Sequence, residues 1–107
     1  MNVLVDECVA KPLVKRLRGH QFKTAQEMGW ASVKNGRLLT QAQGSSDVFL
    51  TCDQNLEYQQ NLKGWKIAVL VLSTNLWPAI KPHCDLVQKA LDAITPGQCV
   101  NLQIPAD

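Results

Sequence analysis

The chain has 107 residues, of which 46% are hydrophobic and 19% charged, and a formal net charge of +2. That length suits a single domain with a core of its own, and the composition excludes wholesale disorder. The charge is too small to advertise a polyanionic partner, although a local patch counts for more than the total, and no apolar run approaches the ~20 residues of a membrane span. Asp6 and Glu7 interrupt any N-terminal apolar stretch, so no signal peptide is expected and a cytoplasmic location is.

In chain order, residues 2–6 read as a first strand, the run Val3-Leu4-Val5 ending in Asp6-Glu7. Residues 9–18 follow as an amphipathic helix with Val9, Leu13 and Leu17 on one face. Pro12 falls in its first turn, where a missing N–H costs little. Lys15, Arg16 and Arg18 suit its C-terminal dipole, and Gly19 suits a C-cap. Residues 20–25 read as a second strand, and a helix begins near Asn35 and ends at Gly44.

The stretch 47–61, DVFLTCDQNLEYQQN, carries the strongest signal. A β-branched and aromatic run stops at polar capping residues, which reads as a buried strand entering a helix. Residues 66–73 hold a continuous apolar run, expected of a strand buried on both faces. A helix is expected over 77–94, with Pro82 demanding either a kink or a later start. Residues 99–104 make a last strand. The alternation predicts a three-layer α/β/α sandwich around a mostly parallel five-stranded sheet, in one domain spanning 1–107.

In an open parallel sheet, ligands bind at the carboxyl ends of the strands. Asp6 and Asp53 both stand at such ends and can together hold Mg²⁺ or Mn²⁺, which take carboxylate, carbonyl and water oxygens. A cation there would polarise a phosphoryl oxygen and activate water. Asn35 and Asn55 can add neutral oxygens, and Glu7, one residue out of strand phase, can reach in past the strand end. Asn35 and Asp53 serve equally well as helix N-caps. Of Gln59, Gln60 and Asn61, at least one is expected to face the site. Glu27 and Glu57 read as solvated. The four cysteines lack C-x-x-C spacing: Cys84 and Cys99 read as core residues, whereas Cys8 and Cys52 flank the two acidic strand ends and can approach each other as a metal or redox pair.

The segments LVDECVAKPLVKRL, KNGRLLTQA, DVFLTCDQNLEYQQNL, IAVLVLSTN and ITPGQCV resemble, in this order, the bacterial PIN-like family related to VapC-type toxins. The strings K-N-G-x-L-L and T-x-D-x-N-L-x-x-Q-Q-N-L carry the specificity. The resemblance implies a PIN-like sheet with the first strand central. It also implies a metal-dependent ribonuclease acting as the toxin of a toxin–antitoxin pair, with RNA as substrate, a small antitoxin as partner and homodimerisation as a common habit. Asp6 matches the acid ending the first strand and Asp53 the acid after the third. Asn35 and Asn55 fall where related chains carry acids, which removes up to two negative charges from a metal site. A catalytically silent PIN-like module binding RNA or protein is therefore the alternative, with Trp30, Trp65 and Trp77 near loops as stacking surfaces, although core packing also suits a tryptophan. A receiver-type phosphoacceptor would need a Lys at the end of its last strand, where Pro105 follows Ile104.

Overall fold

The computed structural model describes residues 1–30, 41–52, 54 and 66–105. Five strands, β1 (Asn2–Val5), β2 (Gln21–Thr24), β3 (Val48–Thr51), β4 (Ala68–Leu72) and β5 (Cys99–Leu102), form one open sheet in the order β2-β1-β3-β4-β5. Every pairing is parallel, so the sheet is parallel throughout rather than mostly so. The first strand is interior, but β3 occupies the centre, which corrects the expectation that β1 would.

Sequence pattern and position in the sheet agree. The runs VFLT and AVLVL are buried at every residue, as strands covered on both faces must be. The edge strand β2 alternates exposed and half-buried residues, with Lys23 exposed on the rim.

Among the described residues, three helical pieces cover one face: α1 (Lys11–Arg16), α2 (Trp77–Ile80) and α3 (Cys84–Ala93). Leu13, Ile80, Val87 and Leu91 from these pieces pack on Val3, Val5, Val48, Leu50, Leu70 and Leu72. The opposite face buries Leu4, Phe49, Ile67, Val69 and Val71 under Ala25 and Ala42, with Met28 and Trp30 half-buried against them. The connections β1→β2 and β4→β5 step in opposite directions across the sheet, yet both cross the face carrying α1 and α3. These two crossovers therefore have opposite hands, and one departs from the right-handed rule.

The helices are shorter than their periodicity suggests. The helix expected over 9–18 is confined to α1, because Leu17 turns extended and Gly19 takes a φ of 85°, so Leu17 and not Gly19 is the capping residue. The helix expected over 77–94 is split. Pro82 supplies no N–H and crowds the preceding turn, so a 3-10 turn over Lys81–His83 separates α2 from α3. The strand expected to reach Ile104 ends at Leu102. Of the helix expected from Asn35, only its end is described, with Gln41 and Ala42 helical. The helix expected after Asp53 lies outside the described residues. Among the described residues, no helix is long and apolar enough to cross a membrane.

Candidate functional site

Chain direction reverses its progress across the sheet between β1 and β3: β2 lies on one side of β1, while β3, β4 and β5 lie on the other. Such a switch point opens a crevice at the carboxyl edge, because the connections leave adjacent strand ends in different directions. Asp6 and Thr51 meet there. The parallel register continues past Val5↔Leu50, with the Asp6 N–H donating to the Leu50 carbonyl at 2.9 Å.

The Asp6 carboxylate is held from three directions. The Thr51 hydroxyl donates to Oδ2 at 2.7 Å, the Cys8 thiol donates to the same oxygen at 3.4 Å, and the Glu7 backbone N–H donates to Oδ1 at 2.8 Å. Asp6 is itself half-buried, whereas Thr51 is fully buried and is the one buried polar residue among the described residues. Its hydroxyl oxygen also lies 3.7 Å from Cys8 Sγ. Cys52 closes the cluster, donating its N–H to Cys8 Sγ at 3.4 Å. Hydrogen bonding from the Cys52 thiol, with help from that N–H and from Thr51, holds the Cys8 thiol below its ordinary range despite burial and the Asp6 charge. Both sulfurs are reduced, outside any disulfide. Gln54 ties the edge of the cluster to β4 through its side-chain amide, which donates to the carbonyls of Cys52 at 3.1 Å and Leu72 at 2.7 Å.

Asp6 and Glu7 also line a cleft of about 560 Å³ between the ends of β1 and β2 and the exposed side of α1. Lys11 and Lys15, one helical turn apart, stand over it from α1, and Glu27 faces them from beyond β2. Among the described residues neither lysine is engaged in an ion pair. Glu27 is exposed, as expected, and is also anchored: its Oε1 accepts from the Thr24 N–H at 3.3 Å and the Thr24 hydroxyl at 3.2 Å, while its own N–H donates to Thr24 Oγ1 at 3.0 Å. The T-x-x-E spacing of a capping box was the signal available for it.

Of the residues singled out in the sequence, Asp6 and Glu7 come together at this edge, with Glu7 exposed. Asp53, Asn35, Asn55, Gln59, Gln60 and Asn61 lie outside the described residues, as does Trp65. Trp30 packs half-buried on the second core face, and Trp77 packs on the first with the Arg16 guanidinium 5.3 Å from its ring centre. Neither is a free stacking platform. Thr51, the closest partner of Asp6, had no signal of its own, since a threonine at the end of an apolar run passes for an ordinary strand residue.

Hard oxygen donors at Asp6 and Glu7 fit Mg²⁺ or Mn²⁺, which commonly take one or two protein carboxylates and complete their shell with water and phosphate. A ligating carboxylate is itself usually oriented by a second hydrogen bond, the relation Thr51 has to Asp6. The neighbouring thiols are softer than these ions prefer. Among the described residues no group of three or more His, Cys, Asp or Glu side chains is gathered as a metal site. No family model, no curated protein and no solved structure matches this chain.

Proposed function

We propose that this protein is a Mg²⁺- or Mn²⁺-dependent ribonuclease that hydrolyses phosphodiester bonds at the carboxyl edge of its sheet, and that it serves as the toxin of a toxin–antitoxin pair. The observation that carries this reading is the pairing, in one cleft, of an oriented carboxylate at the switch point with two lysines that make no ion pair among the described residues. The resemblance of the sequence to PIN-like toxins supports it as well.

Asp6 and Glu7 would hold the cation, with Asp53 as a further carboxylate from outside the described residues. The bound cation would supply Lewis acidity at a phosphoryl oxygen and a more acidic water. Thr51 and Cys8 hold Oδ2 and so fix the carboxylate plane, while Oδ1, which accepts the Glu7 N–H, keeps a lone pair for a cation. Lys11 and Lys15 neutralise substrate phosphates as point charges, and Val9 and Val14 give the cleft an apolar wall that limits water. A small antitoxin would cover this same edge, and self-association would follow the habit of similar toxins.

The test is RNA cleavage in Mn²⁺ and Mg²⁺ by the wild type and by Asp6→Asn. Cleavage that disappears with Asp6→Asn is the expected result; full cleavage by that variant removes Asp6 from the site. A second reading, a silent module that binds RNA or protein, is favoured by one observation: Asp6 Oδ2 already accepts from two donors. Asn35→Asp with Asn55→Asp separates the two, since activity appearing only in the restored chain identifies the silent module.

A further inference from the structure

We propose that Cys8 and Cys52 are a redox pair: hydrogen peroxide joins them in a reversible disulfide beside Asp6, and that bond weakens the cation site. The switching half of this proposal rests on the reading that Asp6 holds a cation; the disulfide itself does not.

The four cysteines divide cleanly by surroundings. Cys84 donates to the Lys81 carbonyl at 3.4 Å at the start of α3, and Cys99 sits on β5 against the second core face. Cys8 and Cys52 instead leave the ends of adjacent parallel strands and meet. Cys8 Sγ is 3.4 Å from the backbone nitrogen of Cys52, and the Cys52 Cβ is only two bonds from that nitrogen. That proximity brings the two side chains into the neighbourhood a disulfide needs, since the bond demands close Cβ atoms. Both residues are half-buried, which leaves them open to a small oxidant.

The chemistry balances without a further reagent. The Cys8 sulfur attacks one peroxide oxygen, the O–O bond breaks, and a sulfenic acid and one water result. The Cys52 sulfur then attacks the Cys8 sulfur, the S–O bond breaks, and the oxygen leaves as a second water with the Cys52 proton. Two thiols are oxidised and one peroxide is reduced. The product no longer carries the Cys8 S–H that donates to Asp6 Oδ2. It also fixes the Cys8 sulfur toward Cys52. The carboxylate then keeps the Thr51 hydroxyl and the Glu7 N–H and loses the Cys8 thiol.

The experiment treats the full chain with hydrogen peroxide, then reads intact mass, a non-reducing peptide map and Mn²⁺ binding by calorimetry. The expected result is a loss of two hydrogens, a Cys8–Cys52 cross-link with Cys84 and Cys99 still free, and Mn²⁺ affinity about 10-fold weaker, in the range set by losing an outer-shell partner. Dithiothreitol should restore both thiols and affinity. Cys52→Ser should keep its affinity through peroxide, and Cys8→Ser provides the second check if that variant fails to fold. Oxygen addition to Cys8 without a cross-link, or a cross-link through Cys84 or Cys99, overturns the pair. A correct cross-link with unchanged Mn²⁺ affinity overturns the switch. If the reduced protein binds no Mn²⁺, the earlier reading has failed and the peptide map alone still decides the disulfide.

Discussion

Thr51→Val tests the geometry on which the site depends. Valine matches threonine in shape and belongs in a buried strand, so the substitution removes the hydroxyl and little else. The lost bond is short, 2.7 Å, and runs to a carboxylate, which places it in the charge-assisted class worth roughly 1.5–3 kcal/mol. Two offsets apply. Asp6 keeps the Glu7 N–H and the Cys8 thiol and is only half-buried, so solvent can replace part of the loss. Thr51 itself is fully buried, and a methyl there needs no partner. The net cost should be about 1–1.5 kcal/mol, or a fall in Tm of about 4–8 °C for a domain of this size. Urea unfolding of wild type, Thr51→Val, Asp6→Asn and the double variant forms the thermodynamic cycle. A coupling energy of about 1 kcal/mol is expected. Additive single effects, with Thr51→Val within about 0.3 kcal/mol of wild type, would refute the claim that the hydroxyl orients the carboxylate.

Phe49→Ala should cost about 3–5 kcal/mol, because Phe49 is fully buried on the central strand and the sheet around it cannot close over the cavity; chemical denaturation reads the loss directly. Gly19→Ala should cost about 1 kcal/mol by the same measurement, purely from its φ of 85°, since a Cβ there meets no atom within 4 Å. Asp92 accepts from His20 Nε2 at 2.7 Å, and that bond first, then Gln88, holds its carboxyl below the ordinary 3.8. The folded chain therefore binds the proton less readily than the unfolded one, so this stability is present above 3.8 and fades as pH falls through the lowered value. Asp92→Asn should be less stable than wild type near neutrality and converge with it in acid, a trend that denaturation midpoints across the acid range would reveal.

The sheet was legible because burial writes itself into composition. Residues 48–51 and 68–72 are interior strands whose every side chain must be apolar or satisfied, and they read as unbroken runs. The face assignment of α1 followed from Leu13 and Leu17 in the same way. Helix length was legible in part: Pro82 announced the break before α3, whereas nothing in the periodicity of residues 9–18 announced that Leu17 turns extended. Half of the site could be read as well: Asp6 is a polar residue ending an apolar run. Its partner could not be read, because Thr51 lies 45 residues away and becomes a partner only through the β1–β3 register. The lysines are likewise ordinary helix-surface cations until α1 is laid beside β2. The cysteine pair was half visible, as two thiols next to two strand ends.

That 45-residue separation also has a consequence in time. Every strand pairing in this sheet is parallel, so none can form by a simple hairpin, and each must await closure of a long loop. Topologies dominated by such distant contacts fold slowly, on the order of milliseconds to seconds. A newly made chain that has only β1, α1 and β2 in place already owns Asp6, Glu7 and both lysines, but not the hydroxyl that aligns the carboxylate. The aligned site thus comes into being only when β3 docks, and in stopped-flow refolding its recovery should lag the first collapse. A chain built this way aligns Asp6 only after its centre has closed.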